Sequence, residues 1–395
     1  MSSPVGNNLL RLTLARACAW SLLVAGWVGI GSFALQLAPS VASGFALVAF
    51  WLFGLGAAAT VATRGIHRWT RALALGVCAA VTALALLATV RGGGLLALVA
   101  ALLGWSALTA LASGVVRSLR QAQPVPPGPP IAAASMGALV AGLVLGDPGA
   151  LTALAVRLAL FVSAVAGALV LLQLRLTVQL RAGCRAGLFD CSLPAWPAGA
   201  WRDSLQWPTL LAGLAMLPMM AALPLMAEWC RAQSFSPQAM VLLHLAAMFG
   251  PVLILRRAIE RWSLHALATV CASLLVAGAA FALWAPAPID LFGLATTHGA
   301  AWGLAWGGQL WAPARRGQQG ASPLRAAAGY ALLTLAFGVV VEYAGPRGVA
   351  DVHAVLGFAA AAAWLVSEFL KAFSRSVALR RRAPHERSAS GPADR

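Results

Sequence analysis

Stretches of about 20 consecutive apolar residues recur along this chain from about Ala17 to about Leu370. A helix of that length crosses the hydrocarbon core of a bilayer, roughly 30 Å thick, because each helical residue rises about 1.5 Å. Hydrophobic residues make up 61% of the 395 residues and charged residues only 10%, which leaves too little polar surface to cover a soluble globule. The sequence therefore predicts an all-α membrane protein that crosses the bilayer many times.

Twelve predicted spans lie at about 17–36, 42–62, 72–90, 93–115, 131–148, 151–174, 206–228, 236–255, 264–284, 289–311, 323–343 and 350–370. A longer polar connection separates the first six from the last six, as in two-bundle transporters. We therefore predict an N-terminal six-helix bundle over 1–174, a cytoplasmic loop over 175–205 and a C-terminal six-helix bundle over 206–372. The basic, Ser/Pro-rich residues 373–395 are predicted to be a disordered tail.

The positive charges of the chain are unevenly distributed between alternate loops. With the N-terminus inside, 23 of the 28 Lys and Arg residues fall on inside ends and loops, including Arg11, Arg16 and Arg71. This asymmetry predicts that both termini are cytoplasmic, and it explains the net charge of +17 without a nucleic-acid partner. The lipid bilayer is the partner that the charge pattern indicates.

The sequence shows no signature of catalysis or of a structural metal site. The six cysteines are scattered without a CxxC pair, and Gly92-Gly93-Gly94 reads as a loop that lacks the lysine of a phosphate-binding motif. No Ser/His/Asp, paired-carboxylate or metal-hydrolase pattern is present. We expect no enzyme activity and no permanently bound cofactor.

Methionine is concentrated in one part of the chain. Six of the eight methionines fall in the 33 residues from Met216 to Met248, where two predicted spans carry Met216-x-x-x-Met220 and His244-x-x-x-Met248. A four-residue step places both members of each pair on one helix face, and the helical rise puts all four near mid-membrane. Thioether sulfur and imidazole nitrogen are the ligands that soft ions prefer, above all Cu(I). These four residues are the predicted metal site.

Other residues are weaker candidates for a transport pathway. His298, Trp302 and Trp306 lie in predicted span ten, which would line a cavity between two bundles. Glu228 and Cys230 follow span seven on the outer side, where they would hand an ion inward. The alternatives are that the methionines are ordinary packing residues and that His298 is a buried histidine with satisfied hydrogen bonds.

The layout of two six-span halves with basic loops after spans two and eight resembles the major facilitator superfamily. Within it, Met216 to Met226 and His244 to Pro251 are similar to the bacterial copper importers that supply cbb-type cytochrome oxidase. The resemblance implies that Met-x-x-x-Met and His-x-x-x-Met-Phe-x-Pro bind a copper ion as the transported substrate. It also implies a place in the bacterial inner membrane and a cytoplasmic or periplasmic copper chaperone as partner.

Three hypotheses of function follow. The first is copper uptake by alternating access, with Met216, Met220, His244 and Met248 holding the ion. The second is a carrier of a small organic solute that binds around Trp302 and Trp306. The third is an assembly factor that holds copper for an oxidase without moving it across the membrane.

Overall fold

The apolar segments of the sequence form helices in the computed structural model, which describes residues 4–62, 68–122, 128–145, 150–174, 212, 216, 220, 236–284, 289–311 and 323–388. Seven helical stretches in these residues are long and apolar enough to cross a membrane, and two shorter apolar helices lie among them. No strand occurs in the described ranges. The prediction of an all-α membrane protein is confirmed, while the count of twelve spans and the cytoplasmic termini stay predictions.

The helices follow one another with short connections. In chain order they are α1 (Pro4–Ala25), α2 (Gly31–Leu37), α3 (Val41–Ala62), α4 (Arg68–Ala88), α5 (Gly94–Ala122), α6 (Gly128–Leu145), α7 (Leu151–Leu174), α8 (Pro237–Ile254), α9 (Arg256–Arg261), α10 (Leu264–Trp284), α11 (Ile289–Trp311), α12 (Pro323–Ala344) and α13 (Pro346–Ser388). A π-helical turn over Gly26–Ile30 joins α1 to α2. Most of predicted span seven and the connection at 175–205 lie outside the described residues.

Local sequence signals fix several helix boundaries. Ser236 caps α8, because its side chain accepts a hydrogen bond from the backbone N–H of Ala239, and Pro237 occupies the first helical turn, where no backbone donor is needed. Between α4 and α5, Gly92 and Gly94 have φ values of 94° and 62°. Side chains disfavour this left-handed region, so the glycines allow α5 to fold back against α4 at the predicted loop.

Among the described helices, two pairs pack along each other between the N-terminal and C-terminal sets. Helices α1, α4, α5, α6 and α7 pack mainly among themselves, as do α8, α10, α11 and α13, whereas α3 packs along α12 and α6 along α8. At the α3–α12 contact, the rings of Phe45 and Phe337 meet edge to face with centroids 5.6 Å apart. At one end of this contact the backbone N–H of Ala42 donates to the Glu342 carboxylate at 2.8 Å. The domain boundaries predicted from sequence stay predictions.

The structure describes two groups of basic residues, one between helices and one in the C-terminal tail. The assignment of Arg16 and Arg71 to inside ends of the spans stays a prediction. Both side chains are buried between helices, and the Arg71 guanidinium donates to the carbonyl oxygen of Gly114. A backbone carbonyl partner makes such burial tolerable. The tail predicted to be disordered from residue 373 is helical as far as Ser388. Its Leu, Ala and Arg residues favour continuation of the preceding helix.

Glycines bring α8 and α11 into close contact. A Cβ atom added at Gly303 would overlap the carbonyl oxygen of Met248, and one added at Gly299 would lie 3.0 Å from the carbonyl oxygen of His244. Small residues at four-residue spacing let the backbones of membrane helices approach in this way. The crossing therefore sets the position of His244 and Met248 relative to α11.

We predict that Gly303→Ala destabilises the protein, whereas Gly167→Ala does not. The new methyl group at 303 meets backbone of α8, which is unable to rotate away, and overpacking of this kind costs about 1–3 kcal/mol. Gly167 lies in a helix and has nothing within 4 Å of an added Cβ, so alanine there is neutral or slightly favourable. Thermal unfolding of both variants in one detergent measures the difference, and equal midpoints would contradict this description of the crossing.

Candidate functional site

The structure describes three positions of predicted span seven, and all three are buried. Ala212, Met216 and Met220 are helical, and Met216 and Met220 are each 2% exposed. Their four-residue spacing places them on one helix face, as the sequence predicts. Both methionines belong to the same hydrophobic core as Met248. The predicted methionine pair therefore faces the protein interior.

His244 and Met248 occupy the interior face of α8. Both are buried, and the His244 ring contacts α11 through a 2.8 Å hydrogen bond between its Nδ1 and the carbonyl oxygen of Ala295. A carbonyl only accepts, so Nδ1 carries the proton and the lone pair lies on Nε2. Nε2 is buried and has no hydrogen-bond partner among the residues that the structure describes. His244 thus presents a bare imidazole nitrogen, the form that binds a metal or accepts a hydrogen bond.

Three histidines from three helices form a cluster in the interior. The rings of His244 and His298 are stacked with centroids 6.3 Å apart, and His298 meets His353 edge to face at 5.0 Å. All three residues are buried. We call His244, His298 and His353 the histidine cluster.

The histidine cluster contains polar atoms that the protein leaves unsatisfied. His353 donates from Nδ1 to the carbonyl oxygen of Val349 at 2.8 Å. In the described part of the chain, the Nε2 of His353 and both ring nitrogens of His298 have no hydrogen-bond partner. The alternative that His298 is a satisfied core histidine is therefore wrong in this structure. Buried polar atoms without partners cost roughly 1–3 kcal/mol each, so their grouping is typical of a site that receives a ligand.

An aromatic cluster lies beside the histidine cluster. It consists of four buried residues, Trp20, Phe249, Trp302 and Trp306. Trp302 and Trp306 are stacked at 5.6 Å with ring planes 9° apart, and Trp20 packs edge-on against Trp306 at 5.3 Å and Phe249 at 5.4 Å. Because Trp20 belongs to α1, the aromatic cluster joins the N-terminal and C-terminal helices.

The two clusters form successive levels along α8 and α11. On α11, His298, Trp302 and Trp306 repeat every fourth residue and share one face. On α8, the ring of His244 contacts that of His298. Phe249, more than one turn further along α8, contacts Trp302 and Trp306. Helices α8 and α11 therefore run in the same direction, with the histidines toward their N-terminal ends.

The two clusters themselves contain no charged side chain, but Arg16, four residues before Trp20 on α1, is also buried. In the part of the chain that the structure describes, the buried polar and charged residues include no Asp or Glu. The described residues also contain no group of three or more His, Cys, Asp or Glu side chains that could hold a metal ion. A soft ion would therefore depend on the thioethers of Met216, Met220 and Met248 in addition to His244.

Part of this site was predicted from the sequence. His298, Trp302 and Trp306 were predicted to line the transport pathway. The contact between His298 and His244 was not predicted, and His353 was not among the candidates. His353 falls in the first turns of the last predicted span, where it resembles an interfacial residue. The candidates Glu228 and Cys230 lie outside the described residues.

We predict that Trp20→Ala lowers the thermal stability of the protein far more than Trp284→Ala. Trp20 is 1% exposed and contacts three aromatic rings, so its truncation removes about 3–5 kcal/mol of packing. Trp284 is 78% exposed at the end of α10. Thermal unfolding in detergent gives the comparison, and a Trp20→Ala midpoint as high as that of Trp284→Ala would show that the aromatic cluster does not hold the helices together.

Comparison with solved structures shows the fold of membrane transporters. The crystal structure of the nucleoside transporter NupG matches with a TM-score of 0.60 and 16% identity, covering 92% of this chain and 98% of that chain. A POT family transporter in complex with a thioalcohol-conjugated peptide matches with a TM-score of 0.61 and 10% identity, covering 94% and 96%. No family model and no curated protein matches the sequence. The chain has the fold of these transporters over nearly its whole length.

Proposed function

We propose that this protein is a membrane secondary transporter that moves a small solute by alternating access. The observation that carries the proposal is the buried meeting of Trp20 from the N-terminal helices with Phe249, Trp302 and Trp306 from the C-terminal helices, directly beside unsatisfied histidines. The transporter fold supports it. Carriers of this architecture bind their cargo where the two halves meet near the membrane centre.

In this mechanism the two halves rock about the α3–α12 and α6–α8 contacts. When Trp20 packs against Trp306, the aromatic cluster closes the path of the cargo between the two helix sets. This path opens when α1 moves away from α8 and α11. The edge-to-face contacts are well suited to this role, since each contributes only about 0.5–1.5 kcal/mol beyond the area it buries. Their sum stabilises one state, and a cargo with a preference for the other state shifts the equilibrium.

The cargo that the comparisons favour is a small organic solute. One structural neighbour is a nucleoside transporter, and the other is a transporter with a bound peptide. In this chain, Trp302 and Trp306 offer flat apolar ring faces at the α8–α11 crossing. Aromatic faces bind planar or apolar groups by stacking. The unpartnered nitrogens of the histidine cluster would then bind a polar group of the same solute.

Copper is the second candidate cargo. It is favoured by the burial of Met216, Met220 and Met248 and by His244, also buried, whose bare Nε2 has the form that a metal requires. Three thioethers and one imidazole make an uncharged ligand set, which suits a monovalent soft ion. Under this proposal the chain imports copper at the bacterial inner membrane and exchanges it with a copper chaperone. The third hypothesis, an assembly factor, shares the site but not the movement of the ion.

Uptake into proteoliposomes that contain the full chain distinguishes these cargoes. If copper is carried, uptake of isotope-labelled copper under reducing conditions falls at least about tenfold, or ~1.4 kcal/mol, in His244→Ala and Met220→Ala. The matched control is Met136→Ala, because Met136 is 63% exposed on α6. If an organic solute is carried, uptake of a labelled nucleoside is lost in Trp306→Ala and retained in Trp284→Ala.

The remaining outcomes are equally informative. Copper that binds to the protein but does not enter the vesicles would favour the assembly factor. Copper uptake that is normal in both His244→Ala and Met220→Ala at normal protein level would reject the copper site. Failure of the wild-type chain to move either probe would contradict both assigned cargoes.

A further inference from the structure

The histidine cluster presents two hydrogen-bond acceptors whose roles are fixed. The Nδ1 atoms of His244 and His353 donate to the carbonyl oxygens of Ala295 and Val349, each at 2.8 Å. A neutral imidazole has one N–H and one lone pair, so the Nε2 atom of each ring is an acceptor. Both Nε2 atoms are buried and have no hydrogen-bond partner among the described residues. The two rings flank His298, which contacts both of them.

The aromatic cluster presents two hydrogen-bond donors. An indole nitrogen only donates, and the Nε1 atoms of Trp20 and Trp302 are buried with no partner in the described part of the chain. The two rings meet edge to face with centroids 6.2 Å apart. Trp302 follows His298 by four residues on α11, a rise of roughly 6 Å. The donors and the acceptors therefore occupy neighbouring levels of the interior.

A ligand that completes all four nitrogens has a defined chemistry. It carries two N–H donors at one end and an acceptor with two lone pairs at the other. No charge is required, since the four nitrogens belong to neutral rings and neutral groups cost less to bury than ions. The stacked faces of Trp302 and Trp306 favour a planar ring between the two ends. An amino group and a carbonyl group on opposite sides of a flat heterocycle meet these requirements.

We propose that the two clusters together bind an uncharged amino-carbonyl heterocycle of the cytosine type. Its amino group donates to Nε2 of His244 and Nε2 of His353, and its carbonyl oxygen accepts from Nε1 of Trp20 and Nε1 of Trp302. The ring nitrogen between these two groups accepts the N–H of His298, which has no other partner among the described residues. The inference rests on the proposed transport function and names the substrate class of that site.

The two donors of the site come from opposite helix sets. Trp20 lies on α1 and Trp302 on α11, and their rings contact each other in this structure. The ligand therefore enters when α1 moves away, and its carbonyl oxygen then bridges the two indoles. Two hydrogen bonds to one oxygen stabilise the arrangement in which both helix sets surround the ligand. A heterocycle without the carbonyl group lacks this effect, because it has no differential interaction with that arrangement.

Competition against radiolabelled cytosine, bound to the full chain in lipid nanodiscs, tests the ligand class. Uracil has a carbonyl group in place of the amino group, and 4-aminopyrimidine lacks the carbonyl group. Each analogue leaves two buried ring nitrogens unpaired, so we expect each to compete at least about tenfold more weakly than cytosine. Phenylalanine, a zwitterion with an aromatic ring, should not compete.

Substitutions pair each end of the ligand with its partner in the protein. Trp302→Phe keeps an aromatic ring but removes the N–H, and it should weaken cytosine about tenfold while changing 4-aminopyrimidine little. His353→Asn removes Nε2 but keeps an amide donor for the Val349 carbonyl oxygen, and it should weaken cytosine but not uracil. Trp51→Phe is the matched control, because Trp51 is equally buried with an unpartnered Nε1 yet packs against Trp27 in the N-terminal helices. Thermal unfolding midpoints show that each variant is folded.

Several results would overturn the proposal. They are a wild-type chain that does not bind cytosine, equal competition by uracil or 4-aminopyrimidine, competition by phenylalanine, and unchanged cytosine binding in folded Trp302→Phe and His353→Asn. Uptake into proteoliposomes separates this proposal from the proposed function. Cytosine that binds but does not enter the vesicles would support the site and contradict transport. Uptake of labelled copper or nucleoside without cytosine binding would support transport and reject this ligand class.

Discussion

The hydrocarbon of a membrane offers no hydrogen-bond partners, and this property determines the local structure of the spans. Every backbone N–H and carbonyl within a span must be satisfied by the chain itself, which leaves helices as the only local structure for apolar segments of this length. Several threonine and serine hydroxyls in the spans obey the same rule, as when Thr82 and Thr297 donate to carbonyls one turn earlier, although the buried hydroxyl of Thr334 does not. Among the described residues, the nitrogens of His244, His298 and His353 that lack a hydrogen-bond partner depart from this rule together, in one cluster.

Contacts between helices determine where the histidine cluster and the aromatic cluster lie. Backbone-to-backbone approach at Gly299 and Gly303 fixes α8 against α11, which brings His244 to His298 and Phe249 to Trp302. Trp20 adds the only ring of the aromatic cluster that comes from the N-terminal helices. The result is a polar level of imidazoles beside an apolar level of aromatic rings. A carrier needs both properties at its centre, since it must hold a solute and also exclude water.

The sequence predicted the parts of this arrangement that depend on one helix at a time. Apolar length predicts the helices, and four-residue spacing correctly predicts that Met216 and Met220 are buried together on one face. Contacts between helices far apart in sequence were not predictable in this way: His353 meets His298, and Trp20 meets Trp306, only after folding. The burial of Arg16 and Arg71 was not predictable for the same reason, because a count of charges per loop does not include partners on a neighbouring helix.

If the protein works as proposed, the two helix sets rock about α3–α12 and α6–α8, so that the interior opens alternately to each side. Pulsed electron resonance between spin-label pairs measures this movement in a cysteine-free background reconstituted in lipid. One pair joins Leu96 to Tyr343 and the other joins Leu73 to Ile254, all exposed positions at opposite ends of the two helix sets. A rocking movement predicts two distance populations for each pair of labels. When pH or cargo changes, the distance within one pair lengthens as the distance within the other shortens. Distances that stay fixed, or that lengthen together, under every condition would contradict it.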